Sequence, residues 1–295
     1  MAAIKVSRGD RAYYIVCGAV VVLLTLLVLY PIVYVVSASF SSARAVSSGR
    51  MWLWPVDTTL VGYRYILQYK SVWIGYRNTV FYSFGASAIG VMLSMFAAYP
   101  LSRKKLHGRR FFSLMFTFTM IFSGGMIPSY LLVKNLGIMN TVWAMLIPGS
   151  LSVYNMIIAR TFIQTTIPEE LFEAAKIDGC SDFKFFFKIL LPLSITIIAV
   201  LSMTYIAAHW NAYFNAFLYL NDKNLYPLQI FLREILISNS FDSDMLDPEA
   251  VEQLQTLQLL LKYAVIVVST APMLLIFPFF QQYFQKGVMI GSVKG

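Results

Sequence analysis

The feature that most limits what this chain can fold into is a series of apolar runs. The six runs cover residues 13–36, 80–101, 111–127, 142–162, 189–208 and 259–280. Each comes close to the roughly 20 residues that an α-helix needs to cross the hydrocarbon core of a bilayer. The third is the shortest, and the sequence SGG and Pro128 interrupt its end. Because charged residues make up only 13% of the chain, against about 25% in soluble proteins, the runs predict an all-α membrane protein with six transmembrane helices.

Lysines and arginines predict how these helices are oriented. Three precede the first run and five lie in the segment SRKKLHGRR between the second and third runs: Lys5, Arg8, Arg11, Arg103, Lys104, Lys105, Arg109 and Arg110. Because short loops rich in these residues stay in the cytoplasm, both termini and the loop 165–188 are predicted to be cytoplasmic. One transmembrane domain, residues 13–284, then lies between the cytoplasmic ends 1–12 and 285–295, with outer loops at 37–79 and 209–258. The net charge of +9 follows the same bias and does not require nucleic-acid binding.

The sequence contains no motif for chemistry of its own. It has no G-x-x-x-x-G-K-[ST] phosphate-binding loop, and its runs lack the central ionisable residues that ion-coupled transporters usually carry. The two histidines, His107 and His209, are predicted on opposite sides of the bilayer and cannot share a metal. Cys17 and Cys180 are too few for a disulfide framework. We therefore expect no enzymatic activity and no cofactor in this chain, so that the energy for any transport must come from a cytoplasmic partner.

A charged segment, EELFEAAKIDGCSDFKFFFKILLPLS at residues 169–194, follows the fourth run. It gathers five acidic residues and three lysines in an otherwise apolar chain. We predict a short helix that Thr166 caps, with Pro168 and two glutamates in its first turn. Gly179 would end this helix, and Ser181 would start a second one that leads into the fifth run. Two helices that meet at a glycine form an elbow.

The first helix of this segment is predicted to have two faces. One is apolar and compact, and consists of Leu171, Phe172, Ala174 and Ala175. The other is acidic, and consists of Glu169, Glu170, Glu173 and Asp178. Helices that rest on a lipid surface usually carry lysines on the polar face, whereas anionic lipids would repel this one. The pattern therefore favours docking against a protein, with Glu173 offering its charge to a lysine or arginine there.

The same segment resembles the EAA motif of ABC importer permeases, and the resemblance extends over nearly the whole chain. The motif reads Glu173-Ala174-Ala175, three residues, Gly179, nine residues, Ile189, one residue and Leu191-Pro192. The resemblance implies that the helix is a coupling helix, seated in a cleft of a cytoplasmic ATPase through Glu173, Ala174, Ala175, Asp178 and Gly179. It also implies that ATP and Mg bind to that partner, whose closure drives the spans between inward-open and outward-open states.

Within this family the chain is similar to the carbohydrate-uptake, maltose-type branch. The ending KGVMIGSVKG resembles that branch's glycine-rich tail, which implies that Gly291, Lys294 and Gly295 reach the ATPase interface. Residues 122–149 and 209–236 resemble permeases for complex-polysaccharide fragments such as alginate or pectin oligosaccharides. The implied partners are a second homologous permease, two copies of the ATPase and an extracytoplasmic substrate-binding protein, all at a bacterial cytoplasmic membrane.

A substrate path would need polar and aromatic groups inside an apolar domain. The candidates lie in the fourth run and around the outer end of the fifth: Asn155, Tyr205, Trp210, Asn211, Tyr213 and Asn215. Hydrogen bonds between helices or an interfacial aromatic belt would use the same residue types. Two other functions stay open at this point. One is a permease for another solute, such as an amino acid or phosphate, and the other is a membrane anchor or sensor that recruits a cytoplasmic protein.

Overall fold

The computed structural model describes the backbone of residues 8–237 and 248–292 and the side chains of residues 9–235 and 256–283. Regular structure within these ranges is helical, which confirms the predicted all-α class. The α-helices are α1 (Arg8–Ser39), α2 (Ala43–Ser47), α3 (Val61–Gln68), α4 (Lys70–Ser102), α5 (Arg109–Ile121), α6 (Met126–Asn135), α7 (Trp143–Leu146), α8 (Val153–Thr166), α9 (Glu169–Ile177), α10 (Asp182–Phe185), α11 (Leu191–Leu193), α12 (Ile195–Trp210), α13 (Phe214–Tyr219), α14 (Leu228–Ile237) and α15 (Pro248–Ser292). A π-helical turn at Phe186–Leu190 joins α10 to α11, and a 3-10 turn lies at Lys223–Leu225.

Several of these helices can cross a membrane. Within the described residues, Gly9–Ser39, Lys70–Ser102 and Thr256–Tyr283 are each long and apolar enough to do so. Two helix pairs pass the same test together but are sharply bent, by 110° between α5 and α6 and by 81° at the start of α12. The described chain therefore provides three to five spans by length and composition. The count of six and the orientation stay predictions.

The third and fourth apolar runs are interrupted at glycines whose backbone conformation few other residues adopt. Gly125, with a φ of +84°, lies in the SGG sequence and precedes α6. Gly149, with a φ of +74°, follows Pro148 in the break between α7 and α8. Ser152 then caps α8 by accepting a hydrogen bond from the Asn155 amide. Since α8 has 14 residues, about 21 Å at 1.5 Å per residue, the fourth run is not one continuous helix.

The chain divides into two compact units, residues 1–69 with 234–270 and residues 70–233 with 271–295. In the first unit, the most apolar window of α1 is 0% buried. The end of α1 packs instead, where Ala38 and Val46 form a small core against Tyr263. The apolar length of α1 is thus left for the membrane or for another chain.

The second unit is built on α4, which packs against α8 and α12. The packed face of α4 consists largely of small residues, which allow transmembrane helices to approach closely: Gly75, Ser83, Ala86, Ser87, Gly90, Ser94 and Ala98. At Gly90, a Cβ atom would lie 2.7 Å from the ring of Tyr205. Towards the end of α4, the core continues through Phe185, Phe186 and Leu190, which are fully buried. This core supports the charged segment that the sequence singles out.

Candidate functional site

Helix α9 begins directly after the Ile167-Pro168 pair. Its first turn contains Glu169 and Glu170, as predicted, where carboxylates favour the positive end of the helix dipole. The prediction that Thr166 caps the helix is wrong, because α8 continues through Thr166 and no side chain caps α9. A residue that precedes proline disfavours the helical region. The chain therefore leaves α8 at Ile167, whose ψ is 109°, and starts α9 only after the proline.

The elbow, residues 169–185, turns at Gly179 as predicted. Gly179 has a φ of +73°, and the Cys180 amide donates to the Ala175 carbonyl at 2.9 Å. These are features of a Schellman motif, in which a left-handed residue ends the helix. Ser181 Oγ then accepts a hydrogen bond from the backbone of the first turn of α10, which confirms Ser181 as a helix cap. The relative position of the two short helices is therefore fixed by local chemistry.

Helix α9 packs one face against its own chain and exposes the other. On the packed face, Ala175 is 8% exposed and the ring of Phe172 meets Phe185 edge-on at 5.2 Å between centroids. Four of the five residues predicted to couple to an ATPase lie on the exposed surface: Glu173, Ala174, Asp178 and Gly179. Ala175, the fifth, supports the helix from beneath. The elbow thus offers a preformed surface to a partner.

Two large apolar residues on this surface are missing from the sequence-based site. Ile177 is 86% exposed and Phe183 is 74% exposed. Helical spacing carries a signal for the first of them. Ile177 lies two positions beyond Ala175, so its side chain points well away from the face that Ala175 buries. Both residues extend the exposed surface of the elbow with apolar area.

Three consecutive residues of the basic loop, residues 103–110, contact α9. Lys105 Nζ lies 3.0 Å from Glu173 Oε1, and Lys104 Nζ lies 3.3 Å from Glu169 Oε2. The guanidinium carbon of Arg103 lies 3.4 Å from the centroid of the Phe172 ring. The sequence predicts a lysine or arginine of another protein opposite Glu173, whereas here a lysine of the same chain occupies that position. The charges of the loop and the helix are matched within this chain.

Side chains also satisfy the end of α4, from which the basic loop emerges. Arg109 Nε donates to the Leu101 carbonyl at 3.0 Å, and Gln164 Nε2 donates to the Ser102 carbonyl at 3.2 Å. The last four carbonyls of a helix lack partners within it and need such donors. The ring of Tyr99 stacks on Phe185 at 6.0 Å. The end of α4, the loop and the elbow therefore form one contact network.

The predicted tail residues lie at or beyond the edge of the described chain. Gly291 belongs to the last turn of α15. Lys294 and Gly295 lie outside the described residues, and the role of all three stays a prediction.

The candidate residues for a substrate path differ widely in burial. Asn155, Tyr205 and Trp210 are buried, whereas Asn211 and Tyr213 are exposed and Asn215 is intermediate. The hydroxyl of Tyr205 shares a hydrogen bond with Ser94 Oγ at 2.8 Å and accepts one from the Ser152 amide at 2.9 Å. Tyr205 therefore joins α4, α8 and α12, and the lining role of the set stays a prediction. No group of side chains that could hold a metal occurs in the described ranges.

Comparison with known proteins identifies the family of this chain. The sequence profile of the family described as "Binding-protein-dependent transport system inner membrane component" matches residues 90–290, which include the elbow. The chain is 40% identical over 287 residues to the polygalacturonan/rhamnogalacturonan transport system permease protein YtcP of Bacillus subtilis, covering 97% of this chain and 99% of that protein. It is 36% identical over 265 residues to protein LplC of the same organism, covering 90% and 89% of the two chains.

A solved structure gives the same result. The chain superposes with a TM-score of 0.85 and 32% identity on a bacterial ABC transporter involved in the import of the acidic polysaccharide alginate, over 96% of this chain and 100% of that one. These findings confirm the resemblance to ABC importer permeases that the EAA motif indicates. The chain belongs to the family of binding-protein-dependent transport system inner membrane components.

Proposed function

We propose that this permease subunit imports oligosaccharides derived from polysaccharides across a bacterial cytoplasmic membrane. The observation that carries the proposal is the 40% identity, over 97% of the chain, to a permease named for polygalacturonan and rhamnogalacturonan transport. The similarity to an importer of the acidic polysaccharide alginate, at a TM-score of 0.85, supports the same class of substrate. Fragments of acidic polysaccharides, including alginate, are therefore the first substrates to test.

In the proposed topology, six spans place both termini, the basic loop and the elbow in the cytoplasm. The positive charge of the basic loop supports this orientation. The two outer loops, 37–79 and 209–258, then face the substrate-binding protein. Transport proceeds by alternating access, in which this chain and a second homologous permease rock against each other. Among the candidate path residues, Asn211 and Tyr213 are the most accessible to a passing sugar.

The elbow is the proposed site of coupling to the ATPase. Its exposed residues Glu173, Ala174, Asp178 and Gly179 would seat in a cleft of the ATPase, with Ala175 behind them. Exposed Ile177 and Phe183 supply the apolar area that the core of a protein interface usually buries. ATP and Mg bind to two copies of this partner. The tail residues Gly291, Lys294 and Gly295 would contact the same partner.

The experiment that tests this proposal is affinity purification of the chain from its native membrane in mild detergent, with partners identified by mass spectrometry. We expect an ABC ATPase, a second permease and a substrate-binding protein in the same fraction. Recovery of the chain alone, or with unrelated cytoplasmic proteins, would overturn the proposal and favour a membrane anchor or sensor.

The substrate class is tested with the purified complex in proteoliposomes. We expect oligogalacturonides or alginate fragments, delivered by the recovered binding protein, to stimulate ATP hydrolysis and to accumulate in the lumen. Amino acids and phosphate serve as controls, and stimulation by one of these instead would contradict the substrate assignment while leaving the permease assignment intact.

A further inference from the structure

We infer that α4 carries the movement of α9 directly to the segment 224–228, and that Arg103 and Lys105 are the positioning residues that hold α9 against the end of α4. The inference rests on the proposed function of α9 as the coupling helix. It adds the path, along α4, by which a movement of that helix reaches the segment 224–228.

The basic loop contacts α9 along one side of the helix. Its three contacts fall on Glu169, Phe172 and Glu173, which occupy positions i, i+3 and i+4. Residues at this spacing lie on one side of a helix, one turn apart. Three contacts along one stripe fix both the position and the rotation of α9, which a single contact would leave free.

Phe172 is the centre of this contact. Arg103 covers its ring at 3.4 Å, and Lys176 Nζ lies 5.1 Å from the same centroid. Both distances are within the range of about 6 Å in which a cation is attracted to an aromatic face. The ring of Phe185 closes the edge at 5.2 Å. Phe172 therefore joins the basic loop to both helices of the elbow.

The basic loop cannot move independently of α4. It begins at the residue after Ser102, and the carbonyl of Ser102 accepts from Gln164 of α8. The carbonyl of Leu101 accepts from Arg109 at the start of α5. Arg109 thus joins the two ends of the loop, and Gln164 joins its first end to α8. Tyr99 of α4 stacks directly on Phe185 of the elbow. A displacement of α9 is passed to the last turn of α4.

The first half of α4 holds the segment 224–228 through four hydrogen bonds. Asn78 Nδ2 donates to the carbonyls of Asn224 and Tyr226 at 2.7 and 3.0 Å. Tyr82 donates to the Leu225 carbonyl at 2.9 Å, and Thr79 Oγ1 accepts from the Leu228 amide at 2.8 Å.

Helix α4 is continuous between these two sets of contacts. Asn78 and Tyr99 lie about 21 residues apart on this helix, about 32 Å at 1.5 Å per residue, and its proline, Pro100, lies in the last turn. Packed helices of this kind carry energetic coupling between distant sites. The segment 224–228 belongs to the predicted outer loop 209–258, so α4 connects the proposed ATPase side with the proposed binding-protein side.

The test uses the full complex in proteoliposomes and measures substrate transported per ATP hydrolysed. The variant is Arg103→Ala with Lys105→Ala, the conservative rescue is Arg103→Lys with Lys105→Arg, and the control is Arg110→Ala, an exposed arginine of the same loop. We expect the double alanine variant to keep the ATPase subunit bound and still hydrolyse ATP. Its transport per ATP should fall by at least about fivefold, the lower end for an allosteric coupling. The rescue and the control should stay near the wild type. An unchanged ratio in the double alanine variant would overturn the inference.

A second measurement decides the same question from the opposite side. In a Cys17→Ser, Cys180→Ser background, Lys104→Cys and Glu169→Cys are joined by a short bifunctional thiol reagent, which holds α9 to the basic loop. We expect the joined complex to transport as well as the wild type, because α9 and α4 move together. Loss of transport with the ATPase still bound would show that they must separate, which contradicts the inference alone. Absence of an ATPase from the wild-type complex would instead overturn the proposed function, and the inference with it.

Discussion

The first half of α4 and the basic loop that follows the helix are joined to their neighbours by different kinds of contact. In its first half, Asn78 and Tyr82 are buried and donate neutral hydrogen bonds to backbone carbonyls. Beyond its last turn, Lys104 and Lys105 form ion pairs with glutamates of α9, and the two lysine side chains are 80% and 79% exposed. The hydrogen bonds of Asn78 and Tyr82 are part-buried, so water replaces a lost donor there only incompletely, whereas exposed ion pairs are weak and screened by salt. The contacts of Asn78 and Tyr82, the buried joint, therefore depend on burial. The contacts of Lys104 and Lys105, the charged joint, depend on several weak interactions acting together.

The largest effect on stability is expected at the buried joint. Asn78→Leu keeps the size of the side chain but removes the amide that serves Asn224 and Tyr226. Because a part-buried carbonyl left unpaired costs towards the lower end of about 1–3 kcal/mol and two carbonyls lose their donor, we expect a loss of about 2–3 kcal/mol in the free energy of unfolding. The measurement is the thermal midpoint of the purified chain in detergent. Lys70→Ala, at an exposed position in the first turn of the same helix, should leave the midpoint nearly unchanged, and equal loss in both variants would contradict the comparison.

A smaller effect is expected in the middle of α4, where the helix must stay straight and close-packed. A Cβ at Gly90 would lie 2.7 Å from the Tyr205 ring and 2.8 Å from the Ser150 carbonyl. Gly90→Ala should therefore destabilise the chain by about 1–3 kcal/mol, the usual cost of overpacking. Gly18→Ala is the matched control, because a Cβ there meets nothing within 4 Å. Similar thermal midpoints for the two variants would show that α4 is packed more loosely than described.

The smallest effect is expected at the charged joint. Lys104→Ala removes one exposed ion pair and should cost below about 1 kcal/mol, too little to move the thermal midpoint clearly.

Salt acts on all such pairs at once, since the screening length falls from about 8 Å at physiological ionic strength to about 3 Å at 1 M. Transport per ATP by the wild type should therefore fall at high salt, and the thiol-joined complex should resist that fall. Equal salt sensitivity in both would argue against a charged joint.

The parts of the site that depend on neighbouring residues are predictable from the sequence. Gly179 and Ser181 mark helix boundaries because their conformation and hydrogen bonding are local, and the structure confirms both. Thr166 failed as a cap although it is the right type of residue. The proline two positions later sets where α9 begins, and α8 extends up to Thr166. A cap residue is therefore informative only once the preceding helix has been delimited.

The remaining features depend on contacts between distant parts of the chain. The basic loop and α9 are separated by α5 to α8, so their charges predict attraction without predicting which residues pair. Apolarity alone also does not show that a run is broken, as at Gly149, or bent, as at Ser194 before α12. Arg160, inside the fourth run, makes a contact that the sequence does not predict. Its guanidinium donates to Ser113 Oγ at 3.1 Å, while its buried Nε has no hydrogen-bond partner among the described residues.

The most direct test of the central claim, that the elbow couples transport to a partner ATPase, compares two charge reversals on α9. Glu173→Lys changes a residue of the EAA motif, and Glu170→Lys makes the same charge change at an exposed position of the same helix outside that motif. Uptake and ATP hydrolysis are measured for both in proteoliposomes containing the complete complex. We predict that Glu173→Lys abolishes substrate-dependent uptake while the chain still inserts, and that Glu170→Lys stays close to the wild type. Normal uptake by the Glu173→Lys variant would contradict the account.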